Sequence, residues 1–234
     1  ASMQAAGQLG RTQLDLSRTL ERISSGYRIN RAADDAAGLG VATALETDTI
    51  SQKQGIRNTN DGISIIQTAE SAANEVTDIL QRMRELAVQS SSETLADTER
   101  SFITDEFNQL RSEVGRISAV TEFNGIQLAD GNTTSLSVQV GIQNASSSRI
   151  DITLGDLTST GLGITTMDLG AVSTAQSAIA TIDTALNSVN SFRSEFGAVQ
   201  NRLDSALNNS QVNVEALSGA SSQIMDTDFA TETS

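Results

Sequence analysis

The 234-residue sequence contains no cysteine, no histidine, no proline and no tryptophan, and only 3% of it is aromatic. Each absence excludes something. Without Cys or His there is no disulfide, no thiolate nucleophile, no Cys/His zinc site and no imidazole acid–base catalyst. Most nucleophilic triads fall with them. Without Pro, nothing obliges a helix interior to break, so very long helices are permitted. With six Phe and one Tyr, Leu, Ile, Val and Ala must fill the core, and these suit helix seams better than a thick globular core. Cations are also scarce: 15 Lys and Arg stand against 29 Asp and Glu, a net charge of −14. That balance argues against a nucleic-acid binder, which needs Lys and Arg to displace counterions. It favours solubility and self-repulsion instead, useful to a protein that must stay dispersed before it assembles. A chain without thiols also carries no redox liability outside the cell. The start, Ala1-Ser2-Met3-Gln4, lacks the basic and apolar regions of a signal peptide. No apolar run approaches the roughly 20 residues that span a bilayer, so membrane insertion is not expected.

What is present is periodicity. Leu9, Leu16, Leu20, Ile23 and Tyr27 are spaced seven, four, three and four apart, a single helical stripe. Ser24-Ser25-Gly26 interrupts it, and the polar stretch 30–35 predicts a hinge. From Ala36 the pattern resumes, and from Ile66 through Ala69, Ala73, Val76, Leu80, Met83 and Ala87 its spacings alternate three and four. Gly55 and Gly62 make 58–62 the weakest part of that helix. Thr94 to Asp97 predicts a capped start for a further helix, with Ile103, Phe107, Leu110, Val114 and Ile117 as its stripe. Leu136, Val138, Val140 and Ile142, then Ile150, Ile152 and Leu154, alternate with polar residues and predict two half-buried strands joined by a hairpin loop over 143–148. The last stretch is the most regular. Ala175, Ile182, Val189, Phe196, Leu203, Ser210 and Leu217 recur every seven residues, with Ala178, Ala185, Phe192, Val199, Ala206 and Asn213 three positions later. This is an a/d seam, weakened at its end by Ser210 and Asn213.

These pieces predict a mainly α protein: an elongated antiparallel bundle of long helices over 36–90, 95–119 and 172–217, with a small β region over 121–165 packed at one end. The two chain ends are expected to meet at the other. Asp34 and Asp35 lack calcium-loop spacing and read as helix-start residues. Asp130-Gly131-Asn132 is a turn signal. Gly161-Leu162-Gly163 lacks the third Gly of a dinucleotide loop. A thin bundle offers few concave pockets, so no catalytic residue, cofactor or metal is expected.

Several blocks closely resemble bacterial flagellin. Leu20 to Asn30 (LERISSGYRIN) is similar to the family's L-x-R-L-S-S-G-x-R-I-N signature, and Asp34-Asp35-Ala36-Ala37-Gly38 continues it. Asn60-Asp61-Gly62-Ile63-Ser64, Leu80 to Gln89 (LQRMRELAVQ), Phe123-Asn124-Gly125, Val138-Gln139-Val140-Gly141 and Phe192 to Leu203 (FRSEFGAVQNRL) follow in the family order. The resemblance implies a filament subunit with almost no variable outer domain: residues 1–33 as an N-terminal helix and spoke, 34–220 as a rod domain, and 221–234 as a C-terminal spoke. It also implies that family members continue past Ala230 through another helix, so the chain as given is expected to polymerise poorly. Self-assembly is expected to use Leu9, Leu16, Leu20 and Ile23. The implied location is the extracellular flagellum, reached through the flagellar type III apparatus without a cleaved signal. Implied partners are other flagellin subunits, hook-associated and cap proteins, a cytoplasmic export chaperone and an innate immune receptor of a host.

That receptor is Toll-like receptor 5, and the family's contacts fall here on Gln81, Arg82, Leu86 and Glu106. Arg82 and Leu86 are at i and i+4 and are expected to share a face beside the Leu80/Met83/Ala87 seam, an Arg–apolar pairing common at binding hot spots. Without the resemblance the same pair would be an ordinary solvated helix face. The alternatives are a hook–filament junction protein with similar helical ends, or a soluble receptor-ligand or adhesin module.

Overall fold

A computed structural model describes residues 2–232. It is mainly α with a small antiparallel strand region. In chain order the elements are α1 (Ser2–Ser25), α2 (Ala36–Ser90), α3 (Asp97–Val120), β1 (Glu122–Phe123), β2 (Ile126–Gln127), β3 (Ser135–Gln139), β4 (Arg149–Thr153), α4 (Val172–Met225) and α5 (Phe229–Glu232). The chain divides into two compact units, residues 57–207 and residues 1–56 with 208–234. These boundaries lie deeper inside the long helices than the 33/34 and 220/221 divisions expected.

The unit 57–207 is built on the seams. From α2, Ile66, Ala69, Ala73, Val76, Leu80, Met83 and Ala87 are all buried. Ile103, Phe107, Val114 and Ile117 of α3 and Ala175, Ala178, Ile182, Ala185 and Val189 of α4 complete one cluster with the lower part of that stripe. The helices α2 and α4 run antiparallel within this unit: Ser90 Oγ donates to Leu169 O at 2.7 Å, and Arg84 meets Asp183. A second cluster joins Ile66 and Ala69 to Val138, Val140, Ile150, Ile152 and Leu154 of the hairpin and to Phe196, Val199 and Leu203 of α4. Each fully buried Leu, Ile, Val, Met or Phe contributes about 1.5–3 kcal/mol.

Gly62, marked as a weak point, lies inside an unbroken helix. A Cβ there would sit 3.1 Å from Val138 Cγ2 and 3.4 Å from Leu203 Cδ1, so glycine lets the hairpin and α4 approach α2. Its propensity cost of about 1 kcal/mol is set against that packing.

β3 pairs with β4 in antiparallel register, Leu136 opposite Ile152 and Val138 opposite Ile150. Ile142 is not a strand residue. Val140 N and Gly141 N both donate to Ser148 O, which ends the ladder, and Ile142 is 42% exposed beyond it. β1 and β2 form a second, smaller hairpin around Asn124 and Gly125, whose φ values are 50° and 77°. Two consecutive positive φ values define the tight turn that Asn-Gly favours.

Helix ends differ from expectation in two places. α3 begins after Ala96, not at Thr94: Ala96 N donates to Glu99 Oε2 at 3.2 Å, so Glu99 supplies the reciprocal half of the expected cap. α4 continues past 217 to Met225. Gly219 is carried inside the helix, and the last carbonyls of α4 find donors in Arg28. Asp35 does start α2, accepting Gly38 N on Oδ1 at 2.8 Å. Asp34 instead closes the preceding turn, accepting Asn30 N and Arg31 N.

The unit of residues 1–56 with 208–234 has few buried hydrophobic groups. Gln52 Nε2 donates to Ser210 Oγ at 2.9 Å, and both residues are buried. Ser210 is thus a buried polar position with a partner, which explains the weak end of the a/d seam. Residues 26–28 and 224–227 come together here, with an isolated bridge between Tyr27 and Asp226.

Candidate functional site: an exposed helix face and an ion-paired surface

Two surfaces carry the candidate residues. The first is α1. Leu9, Leu16 and Leu20 fall on one helical face and are 71%, 57% and 57% exposed, and Ile23 is half-buried. The helix holds no buried residue at all. Its interior hydroxyls bond their own backbone, Thr12 Oγ1 to Gln8 O and Ser17 Oγ to Gln13 O, and Arg22 occupies the last turn, where a cation suits the helix C-terminus. Met3 and Leu14 are exposed as well, away from the leucine stripe. Their spacing does not fit that stripe, so periodicity passed over them.

The second surface spans α2 and α3 in the unit 57–207. Gln81, Arg82 and Glu106 are exposed and close together. The Arg82 guanidinium donates to Glu106 Oε1 from Nε at 2.9 Å and from Nη2 at 2.7 Å, and to Glu85 Oε2 from Nη1 at 2.9 Å. Hydrogen bonding to Glu106, then to Glu85, raises the Arg82 pKa above its ordinary value, so the cation is permanent. Leu86 does not belong to this surface. It is 1% exposed and sits in the core among Met83, Ile103 and Phe107. The expectation followed a narrow seam, but α3 and α4 both pack on α2, and that widens the buried stripe. The apolar groups that do reach the surface nearby are Val88 and Phe102, 47% and 69% exposed. A hollow on α2 is lined by Gln81, Arg84, Glu85, Val88 and Gln89.

Arg84 donates to Asp183 from Nε at 2.6 Å and from Nη2 at 3.4 Å, tying α2 to α4. The bonds from Arg84 hold the Asp183 carboxyl below its usual pKa. Arg100 is a residue the sequence reading missed. It is 4% exposed, and its guanidinium donates to Ser90 O and to the carbonyls of Ser92 and Leu95, the latter two at 3.3 Å. It therefore caps the C-terminus of α2 with a buried cation. The signal was present: Arg100 is three residues before Ile103 and in phase with the apolar stripe of α3.

Comparison with known proteins identifies the family. Residues 1–134 match the bacterial flagellin N-terminal helical region, and residues 179–234 match the bacterial flagellin C-terminal helical region. The chain belongs to the bacterial flagellin family. It is 43% identical to a flagellin of Halalkalibacterium halodurans over 92% of this chain and 79% of that one. It is 35% identical to the flagellar filament 33 kDa core protein of Treponema phagedenis, over 99% and 86% of the two chains. The crystal structure of Bacillus cereus flagellin superposes with a TM-score of 0.59 at 32% identity, covering 66% of this chain and 88% of that one. Flagellins are structural proteins of the flagellar filament, and the geometry agrees with such a role. Among the described residues no group of acids could hold a metal ion, and no helix is long and apolar enough to cross a membrane. For a flagellin, the chemistry lies in which apolar and charged faces are left for neighbours.

Proposed function

We propose that this protein polymerises into the extracellular filament of the bacterial flagellum, using the apolar face of α1 to join other copies of itself. One observation carries the reading: in a chain that matches flagellin at both ends, α1 displays Leu9, Leu16 and Leu20 to solvent and holds no fully buried residue. A helix with that pattern gains stability by covering its stripe, and a second subunit supplies the cover. Export through the flagellar type III apparatus, and contacts with a chaperone and with cap and hook-associated proteins, follow from the same reading.

The test is complementation of a flagellin-deficient bacterium with the gene, followed by electron microscopy. Long filaments are expected, and Leu16→Asp or Leu20→Asp should reduce them severely. Short rings or caps would favour a hook–filament junction protein, and undiminished filaments in both variants would remove these leucines from assembly.

The reading extends to recognition of the dispersed subunit by Toll-like receptor 5 through Gln81, Arg82 and Glu106. What supports it is the exposure of these three residues and their ion-paired geometry. Leu86, being buried, is not proposed as a contact. Arg82→Glu would set three carboxylates together and should sharply lower signalling in receptor-bearing reporter cells at an unaltered melting temperature. Full signalling by that variant would remove the site.

A further inference from the structure

The turn between β1 and β2 carries a reactive pair. Asn124 and Gly125 are its two central residues, and both are exposed. A Cβ added to Gly125 would meet nothing within 4 Å, so no neighbour shields this end of the turn. In a two-residue hairpin the flanking pair, here Phe123 and Ile126, takes the ladder bonds. The N–H between the two turn residues then stays outside the ladder.

Asn124 is the only asparagine of the sequence followed by glycine. The asparagines within α2, α3 and α4, such as Asn60, Asn108 and Asn201, precede nitrogens engaged in helical bonds. Outside the helices, Asn30, Asn132 and Asn144 precede Arg31, Thr133 and Ala145, whose side chains crowd the approach to the next nitrogen. The Asn132 amide is also held by Asp130 Oδ2 at 2.6 Å.

We infer that Asn124 is a site of spontaneous deamidation, and the first asparagine of the chain to convert. Hydroxide removes the proton of the Gly125 N–H, and the freed nitrogen attacks Asn124 Cγ. The new N–Cγ bond closes a cyclic imide. The bond from Cγ to the side-chain nitrogen breaks, and that nitrogen takes a proton from water and leaves as ammonia. Water then opens the imide at either carbonyl. One product is an aspartate with the backbone unchanged. The other is an isoaspartate, in which the chain runs through the former side chain. Nothing is oxidised or reduced, and water is the only co-reactant.

The two products act differently on the turn. Aspartate before glycine also suits two consecutive positive φ values, so the first keeps the turn and adds a negative charge to a strand that already carries Glu122. Isoaspartate lengthens the backbone within a turn whose length sets the register. The residues on either side are anchored: Phe123 packs against the second apolar cluster, Leu128 belongs to it, and Leu128 N donates to Thr121 O at 3.0 Å. The longer product therefore pulls on that cluster. All of this lies within the unit 57–207 and does not depend on the filament reading.

The test holds the full chain in warm, mildly alkaline buffer and samples it over time. Peptide mapping by mass spectrometry locates each deamidated residue, and methyl transfer by a protein-isoaspartate methyltransferase counts isoaspartate. Conversion should appear at Asn124 before any other asparagine and should quicken as pH rises. Asn124→Gln should remove this early product, because glutamine must close a larger ring. Asn124→Asp should keep the native melting temperature, whereas native chain aged to isoaspartate should melt lower. Earlier conversion at another asparagine overturns the inference. So does a folded chain whose Asn124 survives while the urea-unfolded chain converts there, since the turn then protects the pair. An early product that persists in Asn124→Gln overturns it as well. An isoaspartate fraction that melts with Asn124→Asp would overturn the role given to the turn's length.

Discussion

The two units of this chain solve opposite problems with similar residues. Among the described residues, the unit 57–207 contains all but two of the buried hydrophobic ones, the exceptions being Ile29 and Ala42. The unit of residues 1–56 with 208–234 buries Thr49, Gln52, Ser210 and Thr227 beside those two, yet it displays ten of the fifteen exposed large hydrophobic residues among those described. The first satisfies its own apolar surface and stands as a folded body. The second keeps a polar interior and leaves its apolar groups outside, the arrangement that the proposed assembly through α1 would use. The contrast shows where a polymerising protein places stability and where it places valency.

The largest expected effect breaks the self-sufficient side. Phe107 is fully buried, and Phe107→Ala should cost about 3–5 kcal/mol through lost burial and a residual cavity. Urea unfolding followed by circular dichroism measures it. A loss well under that range would mean the core around α3 relaxes freely.

A smaller effect tests the polar side. Ser210→Ala strands the buried Gln52 amide and should cost about 1–3 kcal/mol. Adding Gln52→Leu should recover most of that loss, because both partners are then apolar. If the double variant is as unstable as the single one, the hydrogen bond is not what the buried pair contributes.

The smallest effect is electrostatic. The folded-state pKa of Asp183 lies below the ordinary 3.8 because Arg84 bonds its ionised form. A group with a depressed pKa stabilises the fold above its unfolded value and loses that contribution as pH falls through the folded value. The Arg84–Asp183 link should therefore be intact at neutral pH and fade only below about pH 4. Because the pair is exposed, the change is small and weakens with salt. Asp183→Asn should flatten the acid limb of a melting-temperature profile, and an identical limb in both proteins would show that the pair is energetically silent.

Much of this was legible along the chain. The three-four spacing from Ile66 to Ala87 and the heptads from Ala175 to Leu203 named the buried seam residues, because a helix that buries one stripe must repeat its apolar residues at the helical period. The alternation around Val138 and Ile152 named the hairpin, because a strand's side chains alternate between faces. The absence of Pro permitted α2 and α4 to run unbroken. The exposed leucines of α1 were legible as a stripe, although their exposure was not: a stripe looks the same whether it is covered within the chain or outside it.

Only the tertiary structure decided the rest, and in each case the missing information was a neighbour remote in sequence. Leu86 was expected on the exposed face of α2, but it belongs to the core cluster that α2 shares with α3 and α4. Gly62 looked like a weak link until Val138 and Leu203 filled the space its missing side chain leaves. Arg100 sits in an apolar phase and is tolerated there because the carbonyls of Ser90, Ser92 and Leu95 accept its protons. The end of α4 lies at Met225 because Arg28, far along the chain, caps its carbonyls. Periodicity determines which residues share a face. Which face is covered, and by what, depends on packing between segments that local spacing does not encode.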